Sequence, residues 1–263
     1  MKIELLPALN DNYIFILIDE FKQEAAVIDP AEADPVLAYL KNENLILTKI
    51  FNTHHHADHI GGNKKLSKYF PDVEIYASAN DSGRIGKQDY FLKHGDKIQF
   101  ANEVALVYFV PGHTIGHICY HFSLKSGENH LFIGDTIFSG GCGKIFEGTF
   151  EQMFSSLKFI RDNIPDYTYI WCAHEYTLEN YLILEQLEPD NLKIKNKIHE
   201  LYVLKQKQLP SIPFQLSDEK NVSSFLRWDD PELRKVLSTK DDLETFIAVR
   251  KYRDNPPKIK IPF

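Results

Sequence analysis

The sequence predicts an α+β protein, a body of short strands with a few helices between them, followed by a mainly helical C-terminal part. Three observations predict it. Eight apolar, β-branched runs end before residue 175, charged helical segments replace them afterwards, and the helices between carry recognisable start signals. At 263 residues the chain can bury a sizeable core, as one large domain or two. The change of pattern predicts a body over residues 1–174 and a helical domain over 175–263.

Taken in order, the opening residues read as a strand pattern broken by Pro7 and by Asn10-Asp11-Asn12. They resemble neither a secretory signal nor an Arg-rich transit peptide. Strands follow at 13–18, 25–28, 46–51, 73–77, 104–110, 118–122, 131–133 and 168–172. Asp34-Pro35 predicts a helix start, with the aspartate as N-cap and the proline in the first turn. Thr149 with Gln152 predicts a capping box. The stripe Phe150, Met153, Phe154, Leu157 and Ile160 that follows has helical spacing and reads as core. One polar helix is predicted over 185–208, broken at 209–213, with further helices at 231–237 and 243–251.

The chemistry is concentrated in Thr53-His54-His55-His56-Ala57-Asp58-His59, which holds four of the 11 histidines within seven residues. The segment follows the apolar run 46–51, so these side chains sit on a loop held by a rigid sheet. Alternate side chains of an extended segment point the same way, so His54 and His56 can converge on one cation. Asp58 and His59, one turn further on, face a second position. His55 points away from the pair it separates and is expected to play a supporting role. Imidazoles with a carboxylate suit zinc, iron or manganese, and the lack of cysteine argues against a closed structural zinc site.

The same grammar recurs downstream: a buried strand, a small residue, then a ligand-type residue. The run 104–110 leads to Pro111-Gly112-His113, the run 130–133 to Gly134-Asp135, and the run 167–172 to Ala173-His174. With the first motif these complete a set large enough for two open metal sites. His94, His117, His121, His130 and His199 lack that context and read as structural or surface residues, His117 being set apart by lying four residues after His113.

The pattern His54-x-His56-x-Asp58-His59 with His113, Asp135 and His174 resembles the metallo-β-lactamase superfamily. Within it the chain resembles the glyoxalase II family, the hydroxyacylglutathione hydrolases. The residues that carry this are Leu6-Pro7-Ala8-Leu9-Asn10-Asp11-Asn12-Tyr13, Gly141-Cys142-Gly143-Lys144, Glu147-Gly148-Thr149, His174-Glu175-Tyr176-Thr177 and Val249-Arg250-Lys251-Tyr252-Arg253-Asp254. The resemblance implies a four-layer αββα sandwich followed by a helical substrate-binding domain. It implies two divalent metal ions per chain, zinc first, with iron or manganese also compatible. His54, His56 and His113 would hold one ion, Asp58, His59 and His174 the other, and Asp135 would bridge them. It also implies that Lys144, Tyr176, Arg250 and Arg253 bind the glutathione part of a thioester. Phe146 stands where the family has a tyrosine, and Ser224 stands where a proline usually precedes Phe225-Leu226-Arg227.

Such a centre can hydrolyse a thioester. Two divalent ions about 3.5–4 Å apart bridge a water and lower its pKa from about 15.7 towards ~7, giving hydroxide at neutral pH. The leaving thiol, with a pKa near ~8.5, departs without a strong general acid. Asp58 and Asp135 are therefore the expected catalytic carboxylates. The expected reaction cleaves S-(2-hydroxyacyl)glutathione, such as S-D-lactoylglutathione, to glutathione and a 2-hydroxy acid, a step of methylglyoxal detoxification. The competing readings are a mono-iron persulfide dioxygenase of the same superfamily and a non-catalytic binding member. The long segment after His174 counts against the first, and the complete ligand set against the second.

Composition bounds the remainder. A net charge of −7 with no basic run excludes a nucleic-acid reader, and no apolar run approaches the ~18–20 residues that span a bilayer. Cys119, Cys142 and Cys172 show no paired spacing, which predicts free thiols and a reducing, cytoplasmic compartment. Cys142 is expected as a packed small residue. A monomer is expected. The basic tail, with Arg250, Lys251, Arg253, Lys258 and Lys260, is the expected anchor for an anionic substrate.

Overall fold

A computed structural model describes residues 1–256, and Lys258, Lys260 and the end of the predicted helical domain lie outside the described residues. Sheet one contains β1 (Lys2–Ala8), β2 (Asn12–Asp19), β3 (Glu24–Ile28), β4 (Ile46–Phe51), β5 (Glu74–Ser78) and β6 (Tyr90–Leu92), in that spatial order. β1 to β3 run antiparallel, and β3 to β6 pair in parallel. β7 (Lys97–Phe100), β8 (Glu103–Phe109), β9 (Ile118–Ser123) and β10 (Asn129–Gly134) begin sheet two. A short hairpin follows, β11 (Ile137–Phe138) with β12 (Gly141–Cys142). β13 (Tyr169–Cys172) and β14 (Phe214–Gln215) complete sheet two, in the order β14-β13-β10-β9-β8-β7.

Every residue of β2 is buried, because its two faces serve different cores. Tyr13, Phe15 and Leu17 pack with Ile118, Tyr120, Phe122 and Phe132 of sheet two, between the sheets. Ile14, Ile16 and Ile18 face Val36, Leu40 and Leu66 on α1 (Ala33–Asn42) and α3 (Asn63–Tyr69), which follows the one-turn α2 (Ala57–Ile60). Period-two side-chain direction thus divides one continuous apolar run between two layers. On the far side, α4 (Phe150–Asn163) adds Met153, Leu157 and Ile160 to the larger core. The arrangement is the αββα sandwich.

The C-terminal part holds α5 (Thr177–Leu187), α6 (Leu192–Gln206), α7 (Leu216–Val222), α8 (Pro231–Leu237) and α9 (Asp242–Asp254). Its buried Tyr181, Ile194, Trp228, Phe246 and Val249 belong to the same apolar cluster as sheet two. Glu219 of α7, fully buried, accepts from Ser139 Oγ at 2.5 Å, the Gly140 N–H at 2.8 Å and the Tyr181 hydroxyl at 2.9 Å. The β11–β12 turn is thereby fastened into the helical part.

The capping box at Thr149 and Gln152 is formed. Other boundaries differ from expectation. Glu32, not Asp34, is the N-cap of α1; its carboxylate accepts from the Leu9 N–H instead of capping, and Pro35 falls within the first turn, where a missing N–H is tolerated. The helix expected over 185–208 is two helices, α5 and α6, separated at Pro189, and α5 already begins at Thr177. Strands do not vanish after residue 175, since β14 pairs with β13. Pro7 lies inside β1, an edge strand, where a residue without an N–H is tolerated. β6 and β7 are short, and β6 carries the exposed Tyr90 and Phe91, which is why neither reads as a buried run.

Candidate metal centre and substrate pocket

The ligand-type residues gather at one end of the sandwich. His54 and His56 follow β4, Asp58 and His59 lie in α2, and His113, Asp135 and His174 follow β8, β10 and β13. Gly134 turns the chain into Asp135 with φ +53°, and a Cβ there would fall 2.4 Å from Thr53 Oγ1 and 2.9 Å from the His117 ring. Only glycine fits.

Three overlapping groups of donor atoms lie within 4.8 Å of one another: His54, His56 and His113; His54, His59 and Asp135; Asp58, His59 and His174. The Asp135 carboxylate faces both ends. Oδ2 is 3.4 Å from His113 Nε2, while Oδ1 is 3.4 Å from His59 Nε2 and 3.5 Å from His174 Nε2. Asp58 Oδ2 lies 3.4 Å from His174 Nε2 and 3.7 Å from His59 Nε2.

Three of the rings are aimed from behind, while His56 Nδ1 faces His113 Nε2 at 3.0 Å. His113 Nδ1 donates to the Lys144 carbonyl at 2.7 Å, His59 Nδ1 faces Asp29 Oδ2 at 3.0 Å, and His174 Nδ1 faces Asp11 Oδ1 at 2.8 Å. These contacts leave Nε2 of all three rings turned inward, the arrangement by which outer groups orient metal-bound histidines. Asn12 Nδ2 donates to Asp58 Oδ2 at 3.2 Å.

The donor set fits divalent cations on an independent ground. His54 Nε2, His59 Nε2 and Asp135 Oδ1 are buried yet have no hydrogen-bond partner. Buried polar atoms of that kind cost free energy unless something satisfies them.

Protonation divides the rings into two sets. Burial pushes His54 well below the ordinary histidine range, with neighbouring histidines adding to it. Burial and His113 bring His56 down to about 4, and burial lowers His113. These three are neutral and can donate lone pairs to a cation. Burial also works against charge on His59 and His174, but facing Asp135, with Asp29 at His59 and Asp11 at His174, it is outweighed and both are raised. The same partners hold buried Asp135 well below the usual carboxylate range, against its desolvation. The protein surrounds this position with anionic charge that calls for a cation.

Beside the centre lies a pocket of about 240 Å³ bordered by Lys144, Tyr176, Asn180, Arg250 and Arg253. The Tyr176 ring stacks on His174, 4.8 Å between centroids at 7°. Arg250 is only 4% exposed; it donates to the Cys142 carbonyl at 2.7 Å and to Asp254 Oδ1 at 2.8 Å, while its Nε is buried without a partner. Arg253 donates to Asn180 Oδ1 and Glu179 Oε1, both at 3.0 Å. Phe146 stands apart, 61% exposed, its ring 5.6 Å from that of His56 and 5.4 Å from that of His113.

Residues 15–174 match the model of the metallo-beta-lactamase superfamily, and residues 175–256 match that of the hydroxyacylglutathione hydrolase C-terminus. A hydroxyacylglutathione hydrolase of Crocosphaera subtropica is 48% identical over 257 residues, covering 97% of this chain and 100% of the relative. The chain belongs to the hydroxyacylglutathione hydrolase family. A member from a Cyanothece strain is 45% identical over 255 residues, covering 97% of this chain and 99% of its own. The crystal structure of ETHE1 from Myxococcus xanthus shares the fold, with TM-score 0.67 at 23% identity, covering 98% of this chain and 93% of that one. So does the BLEG-1 B3 metallo-beta-lactamase, with TM-score 0.63 at 19% identity, covering 86% and 99%.

Within this hydrolase family frame, several contributors lay outside the expected set. His117, read from sequence as structural or surface, is fully buried against the centre, and its ring lies 4.7 Å from that of His54 at 20°. Asp11 and Asp29 aim His174 and His59. Asp29 also accepts from the Thr53 N–H at 2.7 Å and from Thr53 Oγ1 at 2.6 Å. Its signal was present: Asp29 follows the buried strand β3, as the ligands follow theirs. Cys142 is buried and packed, and burial raises its thiol. Among the described residues no helix is long and apolar enough to cross a membrane.

Proposed function

We propose that this chain hydrolyses S-(2-hydroxyacyl)glutathione thioesters, with S-D-lactoylglutathione as the type substrate, releasing glutathione and a 2-hydroxy acid. The observation that carries the proposal is the Asp135 carboxylate, whose two oxygens face different histidine groups beside a cationic pocket. His54, His56 and His113 would hold one ion, Asp58, His59 and His174 a second, and Asp135 would touch both. Zinc suits this donor set, as do iron and manganese. Two bound divalent ions supply Lewis acidity and a water acidified towards neutral pH.

The chain's own groups do the rest. Asp58, whose Oδ2 accepts from Asn12, would orient the attacking oxygen through its carboxylate or take its proton during collapse. Lys144, Tyr176, Arg250 and Arg253 hold the glutathione part by its carboxylates and backbone, so that the thioester carbon lies over the centre. A guanidinium suits a carboxylate by bidentate geometry. The thiolate, with a pKa near ~8.5, leaves without a strong general acid.

We assign the body over residues 1–174 to catalysis and the part from residue 175 onward to substrate binding. A monomer in a reducing, cytoplasmic compartment is our reading, in keeping with three buried free thiols. The test is turnover of S-D-lactoylglutathione by the purified chain, with elemental analysis of the same sample. Free thiol released at enzymatic rates by protein holding two ions per chain supports the reading. A fully loaded chain that leaves the thioester intact overturns it.

A further inference from the structure

Behind the ligands, a relay of charged side chains joins the loops that carry them. His55 lies between His54 and His56 and turns away from the centre. Its Nδ1 donates to Asp81 Oδ1 at 3.2 Å, and its Nε2 accepts from Arg84 Nη2 at 2.6 Å. Asp81 is fully buried and packs on Gly116, where a Cβ would fall 2.2 Å from Oδ1. Arg84 also donates to both oxygens of Glu147. Glu147 Oε2 accepts in turn from the Ile115 N–H at 3.1 Å. The N–H groups of Phe146 and Glu147 donate to the His113 carbonyl at 3.1 and 3.3 Å. One guanidinium therefore ties together the segment of His54 and His56, the segment of His113, and the Phe146–Glu147 loop.

We infer that Arg84 is a positioning residue for the His54, His56 and His113 set, acting through His55 on one side and Glu147 on the other. The inference rests on reading that set as metal ligands. An exposed ion pair alone contributes little. This one differs, because both carboxylate oxygens are engaged and the relay ends on a buried aspartate. By donating to Nε2, Arg84 also fixes the His55 proton on Nδ1, where Asp81 accepts it. The backbone on either side of His55 then has one orientation, and the rings of His54 and His56 follow it. Removing groups that support metal ligands typically lowers metal affinity about 10–100-fold.

The experiment titrates zinc out of the purified chain with a competing chelator and reads zinc per chain, alongside thermal unfolding. Wild type is compared with Arg84→Met, Arg84→Lys, Glu147→Gln and Lys49→Met. Lys49 pairs with Glu74 and Tyr76 on another part of the surface and serves as the control for loss of an ion pair. Arg84→Met and Glu147→Gln are expected to give up one zinc ion at chelator levels where wild type keeps both, with affinity about 10–100-fold lower. Arg84→Lys is expected to fall between them and wild type, and Lys49→Met to match wild type. If Arg84→Met does not fold, Glu147→Gln decides, since it weakens the same clamp from its outer end. Wild-type zinc affinity in the folded Arg84 or Glu147 variants overturns the inference, as does an equal loss in Lys49→Met. A wild-type chain that binds no zinc refutes the ligand reading itself, so the two failures are distinguishable.

Discussion

The backbone N–H of Asp135 donates to Nε2 of His117 at 3.1 Å. An accepting Nε2 requires the imidazole proton on Nδ1, which faces Thr136 Oγ1 at 3.3 Å. His117 thus holds the carboxylate residue that faces both histidine groups, while its ring backs His54. Replacing it by phenylalanine keeps a ring there and removes the acceptor. An orphaned buried N–H costs about 1–3 kcal/mol of stability, so His117→Phe is expected to lower the melting temperature and, with Asp135 less firmly held, to lower kcat as well. Steady-state rates with zinc content measured on the same sample check this. An unchanged kcat would show that His117 only fills space.

Asp135→Ala removes the oxygens that face both histidine groups. Hydrolysis is expected to fall to background and metal content to drop below two ions per chain. Asp135→Asn keeps the shape but loses the charge, and is expected to retain some metal without turnover. Elemental analysis and thiol release measure both. Turnover near the wild-type rate in the alanine variant would remove Asp135 from the bridging role.

Lys144 and Arg250 border the same pocket but stand differently in it. Lys144 is exposed, whereas Arg250 is buried and braces the Cys142 carbonyl. On the proposed reading both would contact the part of the substrate remote from the reacting carbon, so their removal is expected to raise KM with little change in kcat. A charged hydrogen bond of ~1.5–3 kcal/mol corresponds to roughly 10- to 100-fold in KM. The Lys144→Ala effect is expected to shrink at high salt. Arg250→Ala is expected to resist salt and to lower the melting temperature as well, because the Cys142 carbonyl loses its donor. A collapse of kcat at constant KM in either variant would place that residue in the chemistry.

Phe146→Tyr adds a hydroxyl beside the first histidine group. One neutral hydrogen bond is worth about 0.5–1.5 kcal/mol, so KM for S-D-lactoylglutathione is expected to fall by roughly 2- to 10-fold at constant kcat. Parallel steady-state assays of the two proteins test it. An unchanged KM would show that the hydroxyl has no partner on this substrate.

The sandwich and the gathering of ligand-type residues at one end of it were legible because both follow local rules. A buried strand is a dense apolar run, and the segments that follow β4, β8, β10 and β13 carry His54, His113, Asp135 and His174, so these four announced themselves by position. β7 escaped because alternate residues of Lys97–Phe100 face solvent, which thins the apolar signal. The supporting residues escaped for another reason. His117, Asp11, Asp81 and Arg84 act through contacts that close only when distant segments meet, such as the Asp11–His174 contact across a separation of 163 residues. Arg250 showed the same limit: its place beside the pocket was expected, but its burial and its grip on the Cys142 carbonyl depend on how α9 meets the β11–β12 hairpin.

Glu219 gives that meeting of segments a practical meaning. Its carboxylate receives the Ser139 hydroxyl and the Gly140 N–H, and a Cβ on Gly140 would fall 2.9 Å from the Tyr181 ring. Plug and socket come from opposite sides of the point where the two family models divide. A chimera joined at residue 174 inherits the plug from one parent and the socket from the other. Shuffling among relatives should therefore treat the turn at Ser139–Gly140, Tyr181 and Glu219 as one inherited unit, even though 80 residues separate its ends.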